Sequence, residues 1–490
     1  MSHHFMIIFI FLLLIPFSHS TSRNINNLRF DDDIEPVHNA LEGITRAIEW
    51  SRAFPSLQGS SARETDLAIA DCIKLYEDSR PRIASLTLFS DRDDALTWLS
   101  AALASHRTCL DGFEENLRLL VEKTVMGNNL TSALEKALEF CESRAKWKGV
   151  KTRPGSDRDK GILSTWNFAT SKADIVVAKD GSGDYITINM ALATLAIMSR
   201  NISSTTRLVV HVKAGVYNEK VEINSNMRNI MFVGDGMDLT IITGNRNFND
   251  GATTITSATF GVSGDGFWAR DMTFENTAGP TKYQAVALRV ESDLAVFYRC
   301  SIKGYQDTLF THSLRQFYRD CHIYGTIDFI FGNSATVFQN CDILLRKPLD
   351  NQENVITAQG RDNPIENTGI SILNSRVRPS LEFMPFQARF KSYLGRPWKM
   401  YSRTVFVKTY MDGVIDPRGW TEWIGNFGLS TLYYGEYMNI GNGSNTLGRV
   451  KWPGYHVIKD DKQASFFDVK NFINGDSWIP ATGVPFSSEI

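Results

Sequence analysis

Phe297-Tyr298-Arg299-Cys300-Ser301-Ile302-Lys303-Gly304-Tyr305-Gln306-Asp307 is followed by Phe317-Tyr318-Arg319-Asp320-Cys321-His322-Ile323-Tyr324-Gly325-Thr326-Ile327-Asp328, and then by Val337-Phe338-Gln339-Asn340-Cys341-Asp342-Ile343. Cys300, Cys321 and Cys341 recur at intervals of 21 and 20 residues, and Asp307 and Asp328 each stand seven residues after a cysteine. A period near 20 built from short β-branched and aromatic runs is the signature of stacked coils, a parallel β-helix. Equivalent residues of neighbouring coils sit one strand spacing apart, about 4.8 Å, so the repeat predicts Asp328 directly above or below Asp307. Two carboxylates that close cannot both ionise freely, and one is pushed towards a raised pKa. Identical residues then become one acid and one base. A ladder of turn aspartates is the plain alternative, since solenoid corners use Asp and Asn. The apolar surroundings of Asp328, in Ile-Asp-Phe-Ile-Phe-Gly, point instead to a desolvated carboxylate.

Working outward, 490 residues exceed one ordinary core, so two domains or one long solenoid are expected. A net charge of −2 gives no reason to expect a nucleic-acid partner. Phe5 to Phe17 is almost purely apolar and precedes Ser18-His19-Ser20, which reads as a cleaved secretory signal over residues 1–20 although a basic n-region is missing. The run is short for a bilayer, and no later stretch is a membrane span, so no membrane association is expected after cleavage. Six cysteines then meet an oxidising compartment. At most one bridge can form within the stacked Cys300, Cys321 and Cys341, leaving one over. No cysteine spacing resembles a zinc site and the histidines do not cluster, so neither metal nor other cofactor is expected. Asn129, Asn201 and Asn442 head Asn-X-Ser/Thr sequons, expected glycan sites.

From Val37 to Arg144 the pattern is helical. Ala68, Cys72, Leu75 and Tyr76 share one face, as do Ala95, Leu99, Ala102 and Leu103. Four antiparallel helices are expected, with breaks at Pro55 and Pro81. This segment offers no set of catalytic residue types. A basic run from Arg144 to Lys160 containing Pro154 and Gly155 then marks a boundary. Beyond it Ile175–Val177, Arg207–Val212, Ile230–Val233, Thr240–Thr243, Thr253–Phe260, Phe267–Phe274 and Ala285–Val290 read as short strands, continuing in coils to about Trp420. Tyr433–Ile440 and Trp452–Trp478 read as a cap. The glycine loop Asp180–Asp184 lacks a P-loop lysine and the dinucleotide fingerprint.

Gln284, Gln306, Arg396 and Trp398 complete the constellation. Amides can donate to a developing oxyanion, and an arginine can hold one carboxylate ionised while its neighbour keeps its proton. Together with Asp307 and Asp328 they amount to an acyl-transfer site without serine or metal. At this point the chain resembles the plant pectin methylesterases of the secreted, two-part kind. The resemblance is carried by Gly215-Val216-Tyr217-Asn218-Glu219, Gln284-Ala285-Val286-Ala287-Leu288-Arg289, Gly304-Tyr305-Gln306-Asp307-Thr308-Leu309, Asp328-Phe329-Ile330-Phe331-Gly332 and Leu394-Gly395-Arg396-Pro397-Trp398. It implies an all-β right-handed parallel β-helix that removes methyl esters from homogalacturonan in the cell wall. On this resemblance Asp328 is the nucleophile and Asp307 the acid and base. Gln284 and Gln306 line the oxyanion hole. Arg396 orients Asp328 and, with Trp398 and Thr254, contacts the sugar chain.

The helical part resembles the family's inhibitor-like pro-region, an all-α four-helix bundle in which Cys72 and Cys109 match the bridging pair. The pro-region's early cysteine pair is missing, Cys141 has no evident partner, and the processing signal is degenerate, with Arg158-Asp159-Lys160-Gly161-Ile162-Leu163 its nearest match. The expected organisation is a signal at 1–20, the pro-region at 27–148, a basic linker at 149–172 and the β-helix at 173–490. A monomer is expected, with methyl-esterified homogalacturonan as substrate and its own pro-region or a separate inhibitor protein as partner. Two other classes fit parts of the pattern. A polysaccharide hydrolase or lyase also uses paired carboxylates, and would release new chain ends rather than methanol. A non-enzymatic inhibitor or wall-binding protein would act through the bundle and have no use for an intact Asp307–Asp328–Arg396 set.

Overall fold

In the computed structural model the described residues are 34–54, 62–87, 91–123, 125–143, 161–201 and 206–490. The expected signal, Pro55 and the basic run from Arg144 to Lys160 lie outside them. Five helices come first: α1 Glu35–Ala53, α2 Ala62–Leu86, α3 Arg92–Asp111, α4 Glu115–Lys123 and α5 Val125–Ser143. α4 and α5 together occupy the place of the fourth expected helix. Ala68, Cys72, Leu75, Tyr76, Ala95, Leu99, Ala102 and Leu103 are all buried, so the helical periodicity picked the packed faces correctly. Asp91 caps α3 by accepting from the Asp94 amide at 2.9 Å. Pro81 does not end a helix, contrary to expectation, but lies inside α2. It sits on the exposed side, where water can satisfy the carbonyl left without a partner, while the buried Arg82 and Ile83 beside it hold the helix in place.

Residues from Ile175 onward wind into parallel coils. One sheet of 17 strands and one of seven are entirely parallel. The seven-stranded sheet stacks Val221–Ile223, Phe260–Val262, Leu288–Val290, Leu309–Thr311, Ile330–Gly332, Asn354–Gln359 and Ser392–Gly395. Aromatic side chains form ladders inside the coil: Phe297, Tyr318 and Phe338 stack with centroids 4.9 and 4.6 Å apart. One corner of the large sheet repeats a left-handed residue on successive coils, including Asp320, Asn340 and Asn374. This is a turn ladder, in which Asp and Asn tolerate the left-handed backbone.

Several local expectations are corrected. Thr253–Phe260 is not one strand: Thr254–Ser257 is a helical turn and the strand begins at Phe260. The Thr253 side chain accepts from the Thr256 amide and the Thr256 hydroxyl accepts from the Thr253 amide, and this capping box outweighs the β preference of threonine. Ile188–Asn201, not anticipated, is a helix. Tyr433–Tyr437 and Tyr455–Val457 are not a cap but further strands of the large sheet, so the coil runs beyond Trp420. Within the expected 149–172 linker, the part from Gly161 is packed: Leu163 is buried, the Gly161 amide donates to the Ala481 carbonyl at 2.8 Å, and Arg270 donates to the carbonyls of Leu163 and Ser164.

Cys72 and Cys109 form a disulfide joining α2 to α3. Cys300, Cys321 and Cys341 stack on adjacent coils as buried thiols, with none of the bridges considered for them. Side chains in register on parallel strands point the same way, whereas a disulfide needs the two Cβ vectors to converge.

Candidate active site

Asp307 and Asp328 immediately precede two neighbouring strands of the small sheet. Leu309 pairs with Ile330, and the Asp307 amide donates to the Ile327 carbonyl at 3.0 Å, so the two aspartates are in register on adjacent coils. Both have left-handed backbones, φ 59° and 51°. Unlike the turn ladder, both are buried, and both face a cavity of about 340 Å³. The Arg396 guanidinium forks onto Asp328, Nε to Oδ1 at 2.9 Å and a terminal nitrogen to Oδ2 at 2.6 Å. The other side of the guanidinium lies over the Trp423 ring, 4.4 Å from its centroid.

The two carboxyls therefore differ. Burial raises the pKa of Asp307 well above the usual carboxylate range, and the neighbouring charge of Asp328 raises it further. Burial also raises that of Asp328, but Arg396 opposes it through charge and two hydrogen bonds. The state that satisfies both is a protonated Asp307 beside an ionised Asp328.

Gln284 and Gln306 line the same cavity, and a ladder bond from the Ala285 amide to the Gln306 carbonyl, 3.2 Å, brings them together on adjacent coils. Thr254 and Trp398 are in the wall as well. All seven residues singled out from the sequence thus converge on one cavity. Thr253, Ile255, Phe310, Phe331, Ala358 and Trp423 complete the β-helix part of the wall and were missed. The signal available for Trp423 was the Trp420-Thr421-Glu422-Trp423 doublet: Trp420 is fully buried while Trp423 is 37% exposed.

The remaining wall comes from the helical bundle. Asp71 of α2, Thr108 and Asp111 of α3, and Gly112 border the cavity. The Thr253 hydroxyl donates to Asp71 at 2.6 Å, and Lys399, next to Trp398, reaches Asp111 at 2.8 Å. Phe310, Phe331 and Ala358 belong to the same apolar cluster as the bundle's core residues.

Residues 174–476 match the pectinesterase family model. The chain belongs to the pectinesterase family. Residues 37–142 match a second model, the plant invertase/pectin methylesterase inhibitor. Over 485 residues this pectinesterase is 55% identical to the probable pectinesterase/pectinesterase inhibitor 36 of Arabidopsis thaliana, covering 91% of this chain and 93% of that one. It is 49% identical to pectinesterase 2 of Citrus sinensis, covering 95% and 90% of the two chains. Among solved structures, the pectin methylesterase from carrot superposes with a TM-score of 0.64 at 52% identity, covering 66% of this chain and 99% of that one. A pectin methylesterase solved in complex with a hexasaccharide, at 27% identity and covering 62% of this chain and 97% of that one, gives a TM-score of 0.51. The parallel β-helix expected from the coil repeat is therefore shared with the solved members, and the helical region is the inhibitor-like domain. No helix among the described residues of the pectinesterase is long and apolar enough to cross a membrane.

Proposed function

We propose that Asp328 is the nucleophile of this pectinesterase and Asp307 its general acid and base. The reading is carried by one observation: two stacked, buried carboxyls of which only one is forked by an arginine. Asp328 attacks the methyl-ester carbonyl, and the developing oxyanion accepts from the amides of Gln284 and Gln306. The protonated Asp307 donates its proton as the C–O bond to methanol breaks. Left ionised, it takes a proton from the water that hydrolyses the acyl-enzyme. Arg396 keeps Asp328 charged and fixes its direction of attack. Trp398 and Thr254 hold the sugar. Export by the leader and action on cell-wall homogalacturonan belong to the same proposal.

The bundle acts on the same site. A cavity of about 340 Å³ bounded by Asp71, Thr108, Asp111 and Gly112 has room for little more than a sugar unit, whereas pectin is a polymer that needs an open groove. The bundle therefore serves as a tethered cap, effective because the linker keeps its local concentration high. Asp328→Asn, in a chain freed of the bundle, tests the chemistry: it folds as wild type and releases almost no methanol, whereas undiminished release removes Asp328 from the nucleophile's role. Severing the linker tests the cap: methanol release rises, and an equal rate with the bundle still attached shows that the bundle is no inhibitor.

A further inference from the structure

At the N-terminal end of α3 lies a second and larger cavity, about 1030 Å³, along the seam between the bundle and the later coils. Arg92 and Thr97 of α3 approach it from one side, and Arg403, Tyr433, His456 and Lys459 from the other. Along α3 the rise from Arg92 to Thr108 is about 24 Å, so the two cavities sit at opposite ends of one helix and are separate.

Its lining is strongly cationic. Arg92, Arg315, Arg361, Arg403 and Lys459 contribute, against one carboxylate, Asp93. Arg315 is already neutralised by Asp94 and Asp293, and Arg92 reaches Glu142 at 3.5 Å. The others are not. Arg361 spends its guanidinium on the backbone carbonyls of Glu366, Tyr401 and Pro364. Arg403 donates to the Glu366 carbonyl at 3.0 Å and, among the described residues, forms no ion pair. The carboxylate nearest both, Glu366, is engaged by Arg107 of α3. Burial pushes the Arg403 guanidinium down to about 9, with the Arg361 charge adding to the shift. An incompletely balanced pair of guanidinium groups at a cavity is a place for an anion. Beside them runs an aromatic wall in which Tyr433 stacks on His456 at 4.5 Å and on Phe467 at 5.3 Å.

We infer that this seam binds a short run of uronic acid residues with free carboxylates, the chemistry of the de-esterified product. The volume suits several sugar units rather than a single small anion. Guanidinium groups meet the carboxylates, and the flat aromatic faces meet the sugar rings. Because Arg92 and Thr97 belong to the bundle and Arg403 and Lys459 to the coils, a bound oligomer touches both domains. The assignment of a uronide, rather than another polyanion, rests on the pectinesterase reading above.

Calorimetry on the full chain carrying Asp328→Asn tests it, with homogalacturonan oligomers free of methyl esters as the probe. The expected result is binding that weakens with added salt, falls at least fivefold in Arg403→Gln and in Lys459→Gln, and is at least tenfold weaker for the fully methylated oligomer. Lys459 is exposed, so its substitution leaves the fold intact should Arg403→Gln perturb it. Trp398→Ala, in the other cavity, leaves the affinity unchanged. Absence of binding, equal affinity for the methylated oligomer, equally effective competition by inorganic phosphate, or indifference to both seam substitutions overturns the inference. Methanol release from the wild-type chain after linker cleavage is measured alongside: release without seam binding sinks this site alone, and seam binding without release sinks the esterase reading alone.

Discussion

Arg107 is where the grip of the bundle on the β-helix is most open to attack. From α3 it ion-pairs with Glu366, whose side chain is fully buried, and reaches Asp362 at 3.2 Å. Arg107→Ala leaves Glu366 with the Asn333 amide, 2.7 Å away, as its main remaining donor. Breaking a buried pair by removing one partner costs about 3–5 kcal/mol. The lower end applies here, because burial already raises the Glu366 pKa and the carboxyl can escape by taking a proton. At about 1.4 kcal/mol per decade, about 3 kcal/mol moves the docking equilibrium some 10²-fold towards the undocked state. While the docked form dominates, the rate of the intact chain rises in proportion to the undocked fraction. The assay is the initial rate of methanol release from methylated pectin by full-length chains whose linker is shown by mass to be uncut. A rise of about 10²-fold is expected for Arg107→Ala, with a smaller rise for Arg107→Lys, which keeps the charge. A β-helix lacking the bundle sets the ceiling. If the intact Arg107→Ala chain, with its helices still folded by circular dichroism, is as slow as wild type, the capping argument is wrong.

Other outcomes follow from the same geometry. Arg396→Lys keeps the charge but loses the fork on Asp328, so turnover of the uncapped enzyme falls about 10²-fold while its melting temperature changes little; near-normal turnover would show that Arg396 does not position Asp328. Asp307 has a folded-state pKa above its unfolded value, so its ionisation destabilises the fold progressively as pH climbs above the ordinary carboxylate range. Asp307→Asn cannot ionise, and thermal melts should show it inactive yet more stable than wild type, by a margin that grows from pH 4 to pH 7.5; a margin that shrinks contradicts the shift. Burial against the β-helix raises Asp71 to about 6, so docking is strongest below the free carboxylate's pKa and weakens as pH rises to about 6. Asp94 and Glu366 are shifted the same way, while Glu291 and Asp293, shifted down, act only at lower pH. A bundle severed at the linker should therefore leave the β-helix more readily at pH 7 than at pH 5 in size-exclusion runs, and Asp71→Asn should flatten that difference.

The stacking of the candidate catalytic residues was legible because a solenoid converts sequence period into spatial register. The spacing from Asp307 to Asp328 is one coil, and the stack follows. Packed helix faces were legible for a similar reason, with Ala68, Cys72, Leu75 and Tyr76 recurring at helical intervals. What escaped is whatever periodicity does not encode. Thr253–Ser257 is rich in β-branched residues, yet two local hydrogen bonds turn it into a helix. The docking of the bundle depends on single polar residues on unrelated elements. Lys74 meets Glu291 at 2.7 Å, Arg82 meets Asp265 at 2.5 Å and Arg315 meets Asp94 at 2.7 Å. Each looks like an ordinary surface charge until the two domains are placed together. The cysteine ladder shows the opposite error: stacking on neighbouring coils allowed at most one bridge, and parallel side-chain directions leave none.

The central claim is that the carboxylate pair breaks an ester and leaves the sugar chain whole, once the bundle is released. The most direct test supplies methyl-esterified homogalacturonan to the linker-cleaved chain, with methanol and chain ends counted in the same reaction. The account predicts sustained methanol release, no new reducing or unsaturated ends, and neither product with Asp328→Asn. New chain ends without methanol would contradict it.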